Sequence, residues 1–267
     1  MSQACLTTIS IYPVKSMRGQ DVDSARVERM GLENDRRFMV VDADGVFLTQ
    51  REHARMALIK PVLKPGSLNL AAPGMDELTF ATRRMGKSML VDIWRSSGVH
   101  AIDQGDPAAE WLTAFLGQPA RLVRFADDHR RLVDPTYALQ PDDHVGFADG
   151  FPLLIISQES LEDLNSRMEK PIPMNRFRPN LVVSGVLPFA EDTWRRIRIG
   201  QVEMALVKPC ARCNIPTIDQ DTGEAGKEPN TTLAKYRRVN GKVMFGVNVI
   251  PVSTGRLQLG DALEVLE

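Results

Sequence analysis

Between residues 57 and 91, proline and glycine cut the chain into apolar runs too short for helices, at 58–62, 67–71, 78–81 and 89–91. No helix-length periodic segment interrupts them. Such a rhythm predicts an antiparallel barrel or sandwich and argues against alternating strands and crossover helices. The flanks continue it. Residues 6–12 alternate as a short strand stopped by Pro13, residues 22–27 form another before Gly31, and Asp44-Gly45 between 38–41 and 46–49 predicts a hairpin.

Strands are also predicted at 121–125, 151–156, 181–184, 197–199, 202–207, 243–249 and 263–266, with turns at Gly200, Asn240-Gly241 and Gly260-Asp261. Helices are few. Asp106 is placed to N-cap one over 107–116, Ser157 one running to about Met168, and Thr231 or Thr232 a short one to Arg237. The fold class is α+β and predominantly β. A boundary near residues 118–125 separates an N-terminal β-barrel-like lobe, 1–118, from a second β-barrel lobe, 119–267, that carries a few short helices.

A formal net charge of −1 gives the chain no general attraction for nucleic acid or an anionic membrane. The longest apolar run, 151–156, is far short of a membrane helix, and residues 1–8 lack the features of a signal peptide. The expectation is a cytoplasmic protein with neither nucleic acid nor membrane as partner. An anionic ligand must then be held by local clusters, and three stand out. They are Lys15-Ser16 with Arg18, Arg36-Arg37 at a strand entrance, and Arg176 and Arg178 before Pro179-Asn180.

Two of the three cysteines, Cys210 and Cys213, lie three positions apart, with Arg212 between them and Lys208 just upstream. Cationic neighbours lower a thiol pKa and favour the thiolate. Four chemistries fit this spacing. A structural zinc site lacks ligands at suitable spacing, because only Cys5 and the scattered His53, His100, His129 and His144 remain. A redox pair would open a helix, which Pro216 disfavours. Two idle thiols leave the cations unexplained. The fourth reading is a soft metal on one thiolate, with its organic anionic carrier held by the basic clusters.

Five motifs carry a family resemblance in order: Ile11-Tyr12-Pro13-Val14-Lys15-Ser16, Gly31-Leu32 with Asp35-Arg36-Arg37-Phe38, Asn175-Arg176-Phe177-Arg178-Pro179-Asn180, Cys210-Ala211-Arg212-Cys213, and Asp219-Gln220-Asp221-Thr222-Gly223. Together they span nearly the whole chain. It resembles the MOSC-domain molybdenum proteins, above all the amidoxime-reducing components and their YcbX-like bacterial relatives. The resemblance implies a MOSC N-terminal β-barrel-like domain over 1–118 and a MOSC domain over 119–267. It also implies a molybdenum-pyranopterin (molybdopterin) cofactor, with Cys213 as the metal ligand. Lys15, Ser16, Arg178 and Arg212 would hold that cofactor with Arg37, by likeness to the reductases, or Arg36, by likeness to the YcbX-like pattern. Pyridoxal phosphate binding is a further family-level expectation.

The implied activity is reduction of N-hydroxylated substrates, amidoximes and hydroxylamines, by oxygen-atom transfer at Cys213, with Asp219 or Asp149 as proton donor. Electrons would come from a separate donor protein of ferredoxin, flavodoxin or cytochrome type, across the polar stretch 126–147. The alternative is a sulfur-carrier or cofactor-binding module that uses Cys213 as persulfide or ligand without turnover. The chain departs from the mitochondrial pattern at Ala211, where those reductases carry a serine, and the expectation from residues 1–8 is that their N-terminal anchor is missing. It also lacks the four further cysteines that a fused ferredoxin domain needs. One geometric expectation follows: Lys15, Arg36 or Arg37, and Arg178 should converge beside Cys213.

Overall fold

The computed structural model describes residues 3–267; Met1 and Ser2, within the stretch read above for a signal peptide, lie outside the described residues. Strand dominates, as the proline and glycine punctuation predicts. A nine-stranded sheet runs in the order Gln20–Val22, Cys5–Ile11, Leu181–Ser184, Leu153–Ser157, Lys242–Pro251, Val202–Ala211, Arg196–Ile199 and Leu263–Val265, with Arg238–Val239 paired to Lys242–Pro251 off that path. Leu153–Ser157 and Leu181–Ser184 are parallel, and the helix Gln158–Ser166 (α2) lies in the connection between them. Ser157 caps that helix by accepting from the Ser160 N–H (3.2 Å). The helix ends at Ser166, two residues before the expected Met168.

The N-terminal half builds a four-stranded sheet from Phe38–Val41, Arg121–Phe125, Ser96–Asp103 and Ser88–Ile93, and a three-stranded sheet from Lys60–Lys64, Ser67–Ala71 and Leu78–Ala81. Helix α1 (Asp106–Leu116) packs Trp111, Leu112 and Phe115 into the core of this half. Strand pairing crosses residue 118 in both directions. Cys5–Ile11 belongs to the nine-stranded sheet, and Arg121–Phe125 lies between strands of the N-terminal half.

Three local expectations need correction. Asp106 is the first residue of α1 and does not cap it. Gly105, at φ +97°, takes the cap position, and the Asp106 carboxylate pairs with Arg121 instead (2.9 Å). Asp44-Gly45 does turn, with Asp42 Oδ1 accepting from the Asp44 and Val46 amides (2.9 Å each), but the second arm makes only single bridges, Val41 to Phe47 and Val46 to Asp92. Neither Thr231 nor Thr232 caps α3 (Asn230–Ala234), since both lie inside it and Glu228 accepts from the Thr232 amide (3.0 Å).

Candidate active site

The strand that delivers the cysteines runs further than its apolar pattern predicts. Val202–Ala211 continues through Lys208, Pro209 and Cys210, with register shifts against Lys242–Pro251 between Leu206 and Lys208 and between Pro209 and Ala211. Proline lacks a ladder donor, so an irregularity beside Pro209 is the expected accommodation. Cys210 therefore ends a strand, and Cys213 sits in the turn leading to Ile215–Thr217. The two thiols are unequal. Arg212 Nη1 donates to Cys210 Sγ (3.1 Å), while Cys213 Sγ, partly exposed, receives only the Ile215 amide at 3.5 Å among the described residues.

Lys15, Ser16, Arg36, Arg178, Arg212 and Cys213 line one cavity of about 150 Å³, with Asp149 and Arg51 at its edge. The expected convergence is thus present in the geometry. Ser16 (φ +64°), Arg36 (φ +48°) and Arg178 (φ +57°) all adopt the left-handed backbone conformation. It costs a residue with a Cβ roughly 1–2 kcal/mol, and such strain concentrates at functional sites. Here it turns three side chains toward one space.

The Tyr12 ring organises two of those cations. The guanidinium carbons of Arg36 and Arg178 lie 4.4 and 4.2 Å from its centroid, and its hydroxyl donates to the Pro179 carbonyl (3.0 Å). A Cβ on Gly19 would sit 2.4 Å from a Tyr12 ring carbon, so the ring needs glycine there. Arg36 pairs with Asp35 and donates to Asn180 Oδ1 (3.0 Å), whose own amide reaches the Ser10 carbonyl (3.1 Å). Arg178 donates to the Met17 carbonyl (2.6 Å) and, among the described residues, forms no ion pair.

Burial dominates the electrostatics. It lowers Lys15 to about 8 and Arg178 to about 10, and pushes Tyr12 up to about 12. Lys15 donates to the Asp149 carboxylate and to the Phe147 carbonyl (3.0 Å). Asp149 also accepts from Arg51 (3.3 Å) and from the Trp94 indole N–H (3.1 Å). Desolvation disfavours its charge, but Lys15, Arg51 and Trp94 outweigh that and hold its carboxyl well below the usual range.

Two expected residues are elsewhere. Arg37 turns away: it pairs with Glu28 (2.9 Å) and lines a different cleft, so of the two arginines Arg36 is the one at the cavity. Asp219 fastens its own loop. Its carboxylate accepts from the Asp221 and Thr222 amides (2.8 and 3.0 Å) and pairs with Arg176 (3.0 Å), contacts that keep it ionised and away from the lining of the cavity. The stretch 126–147 is partly ordered by the strand pair Arg131–Leu132 and His144–Val145, and His144 is buried with its ring nitrogen 2.7 Å from the Asp142 carbonyl. Arg131, given no role from sequence, buries its guanidinium among the carbonyls of Gly146, Ala148 and Asp149 and so braces the segment that presents Asp149.

The residues present fit a phosphorylated organic anion. Buried cations outnumber the carboxylates at the cavity, and the Nε atoms of Arg51 and Arg212 are buried without a hydrogen-bond partner. A partner that supplies several acceptor oxygens satisfies such groups. Among the described residues no three histidine, cysteine or carboxylate side chains converge, so a metal here would need ligands beyond the protein. Lys15 gives this anion site a pH signature. An anion favours the charged amine, so binding takes up a proton above the free pKa of about 8. Sulfate affinity of the cofactor-free protein is expected to hold below about pH 8 and to fall by up to about tenfold per pH unit above it. Calorimetric titration checks this, and an affinity flat across that range would contradict it.

The comparisons agree with the motif order. Residues 3–119 match the MOSC N-terminal beta barrel domain, and residues 142–264 match the MOSC domain. The chain is 38% identical over 269 residues to mitochondrial amidoxime reducing component 2 of Bos taurus, covering 94% of this chain and 80% of that one. It is 36% identical to mitochondrial amidoxime-reducing component 1 of Homo sapiens, covering 96% and 81% of the two chains. The component 1 protein of Danio rerio is also 36% identical, with 96% and 83% covered. With both domains in this order, and relatives matched over nearly its full length, the chain belongs to the MOSC-domain family that includes the amidoxime-reducing components.

Proposed function

We propose that this protein is a molybdenum cofactor-dependent reductase of N-hydroxylated compounds, amidoximes and hydroxylamines among them. The observation that carries the reading is the convergence of Lys15, Ser16, Arg36 and Arg178 with Cys213 on one cavity. It is supported by relatives whose names state amidoxime reduction. When bound, the cofactor would supply the two-electron chemistry that reduces the N–OH group.

The chain's own residues bind and orient. Cys213 would offer its partly exposed sulfur to the metal, and Arg212 donates to Cys210 Sγ (3.1 Å) and to the Phe177 carbonyl (2.8 Å) rather than to Cys213. Lys15, Ser16, Arg36 and Arg178 hold the cofactor's phosphate and pterin by charge and hydrogen bonds. Lys15 and Arg51 favour the charged form of Asp149, whose carboxylate fixes both cations at the edge of the cavity. Electrons come from a separate donor protein. A cytoplasmic location belongs to the same proposal; among the described residues no helix is long and apolar enough to cross a membrane. Pyridoxal phosphate finds no support in the matched domains or relatives and forms no part of it.

The test is direct. Protein purified from a host that makes molybdopterin should carry molybdenum and pterin near one equivalent, and should convert benzamidoxime to benzamidine with a chemical reductant. Metal-replete protein without turnover would overturn the reading. Metal-free protein with labile sulfane sulfur on Cys213 would instead favour the sulfur-carrier alternative.

A further inference from the structure

A second, larger cleft opens next to the cysteine cavity. It measures about 650 Å³ and shares Asp149, Gly150 and Phe151 with that cavity, so the two border the same short segment. Its size falls within the range of small-molecule sites. The wall combines exposed apolar surface, Trp94 and Leu132, with the cations Arg95, Arg131 and Lys208.

Trp94 is held there against its backbone preference. It occupies the first position of the two-residue turn between Ser88–Ile93 and Ser96–Asp103 at φ +55°, where glycine or asparagine is the usual occupant. A bulky aromatic at such a position is strained. Its ring is fixed by the Arg51 guanidinium (4.0 Å), by the edge of Phe47 (4.7 Å) and by the indole N–H to Asp149. The result is a flat aromatic face beside the entrance to the Cys213 cavity.

The charge around this face is unbalanced. Neither Arg95 nor Lys208 forms an ion pair among the described residues, and the Lys208 amine instead lies 4.2 Å from the Tyr137 ring. Arg131 donates to carbonyl oxygens and, among the described residues, forms no ion pair. Against these cations and Arg51 stand two carboxylates. Asp149 is already shared by Lys15 and Arg51, and Asp134 is held ionised mainly by the Thr136 amide and hydroxyl, with help from Lys208 and Arg95.

Resting on the reductase reading, we propose that this cleft is the substrate vestibule. It admits planar neutral or anionic N-hydroxylated compounds against Trp94 and disfavours cationic ones. The reaction itself gives that preference a use. An amidoxime, neutral at physiological pH, takes two electrons from the donor protein and two protons; its N–O bond breaks, the oxygen leaves as water, and the product is an amidine. Amidines are strong bases and are protonated at neutral pH. Substrate therefore enters a cationic vestibule uncharged, and product leaves it carrying a like charge, which lowers product retention.

The test uses cofactor-loaded protein and reads equilibrium binding as well as turnover. Quenching of tryptophan fluorescence by benzoate and by benzamidinium should show benzoate binding about tenfold more tightly, as expected for two uncompensated cations near the probe. The difference should collapse in Arg95→Gln/Lys208→Gln, and Trp94→Phe should lose most of the signal. In turnover, 4-carboxybenzamidoxime should exceed its 4-trimethylammonio analogue in kcat/KM by a similar factor, again reduced in the double variant. Equal binding of the two probes, or a preference unchanged in the double variant, would overturn the vestibule. Discriminating binding without any amidoxime turnover would leave the vestibule standing and sink the reductase reading instead.

Discussion

Cys213→Ser is expected to yield a folded protein with molybdenum below a hundredth of the wild-type content and amidoxime reduction lost with it, whereas Cys210→Ser keeps the metal. The magnitude follows from a comparison. Residues that merely support a metal ligand are worth about 10–100-fold in affinity or activity, so removing the sole protein thiolate should exceed that. The asymmetry follows from geometry. Cys210 Sγ is engaged by Arg212 at the end of a strand, while Cys213 is partly exposed in the turn beyond it. Metal analysis of the two variants, with thermal melting as the folding control, measures it. Equal loss of metal in both would mean that the cysteines act as a pair.

The second large effect belongs to Arg178. Arg178→Met preserves bulk while deleting a buried guanidinium that has a carbonyl and the Tyr12 ring as neighbours but no carboxylate in ion-pair range among the described residues. Breaking a buried charge interaction with a ligand costs about 2–5 kcal/mol, on the order of 30- to several-thousand-fold in affinity. Cofactor retention after gel filtration should collapse accordingly. The cofactor-free protein should melt no lower than wild type, because an uncompensated buried cation is itself unfavourable. Opposite movements of occupancy and stability mark a residue kept for its ligand; a variant that loses both would place Arg178 in the scaffold.

Much of this was legible in the sequence. Proline and glycine punctuation gave the β class because turn residues act locally. Three of the basic residues singled out, Lys15, Arg36 and Arg178, do line one cavity with Cys210 and Cys213, whereas Arg18, Arg37 and Arg176 of the same clusters form ion pairs elsewhere. What could not be read was direction. Arg36 and Arg37 are adjacent and chemically identical, and only the left-handed backbone at Arg36 sends one inward and leaves the other on Glu28. Asp219 was a candidate proton donor, yet its own loop amides engage one carboxylate oxygen and Arg176 the other. Arg51, Arg131 and Trp94 were missed as site residues because they approach from the other half of the fold or from loops without a motif. One signal was available for Trp94: a Trp-Arg pair in a gap of two residues between alternating runs, where a turn former belongs.

The interleaving of the strands also sets a schedule for biosynthesis. The cavity wall draws on residues as far apart as Lys15 and Asn248, and the first strand, paired early on one edge with Gln20–Val22, must wait for Leu181–Ser184 on the other. Synthesis proceeds at about 5–20 residues per second, so the early basic turn spends many seconds without its partners. No half-made chain can present the complete cradle. On the proposed reading, cofactor insertion must therefore wait until Cys213 and the strands around it have been made and paired, long after the first basic turn.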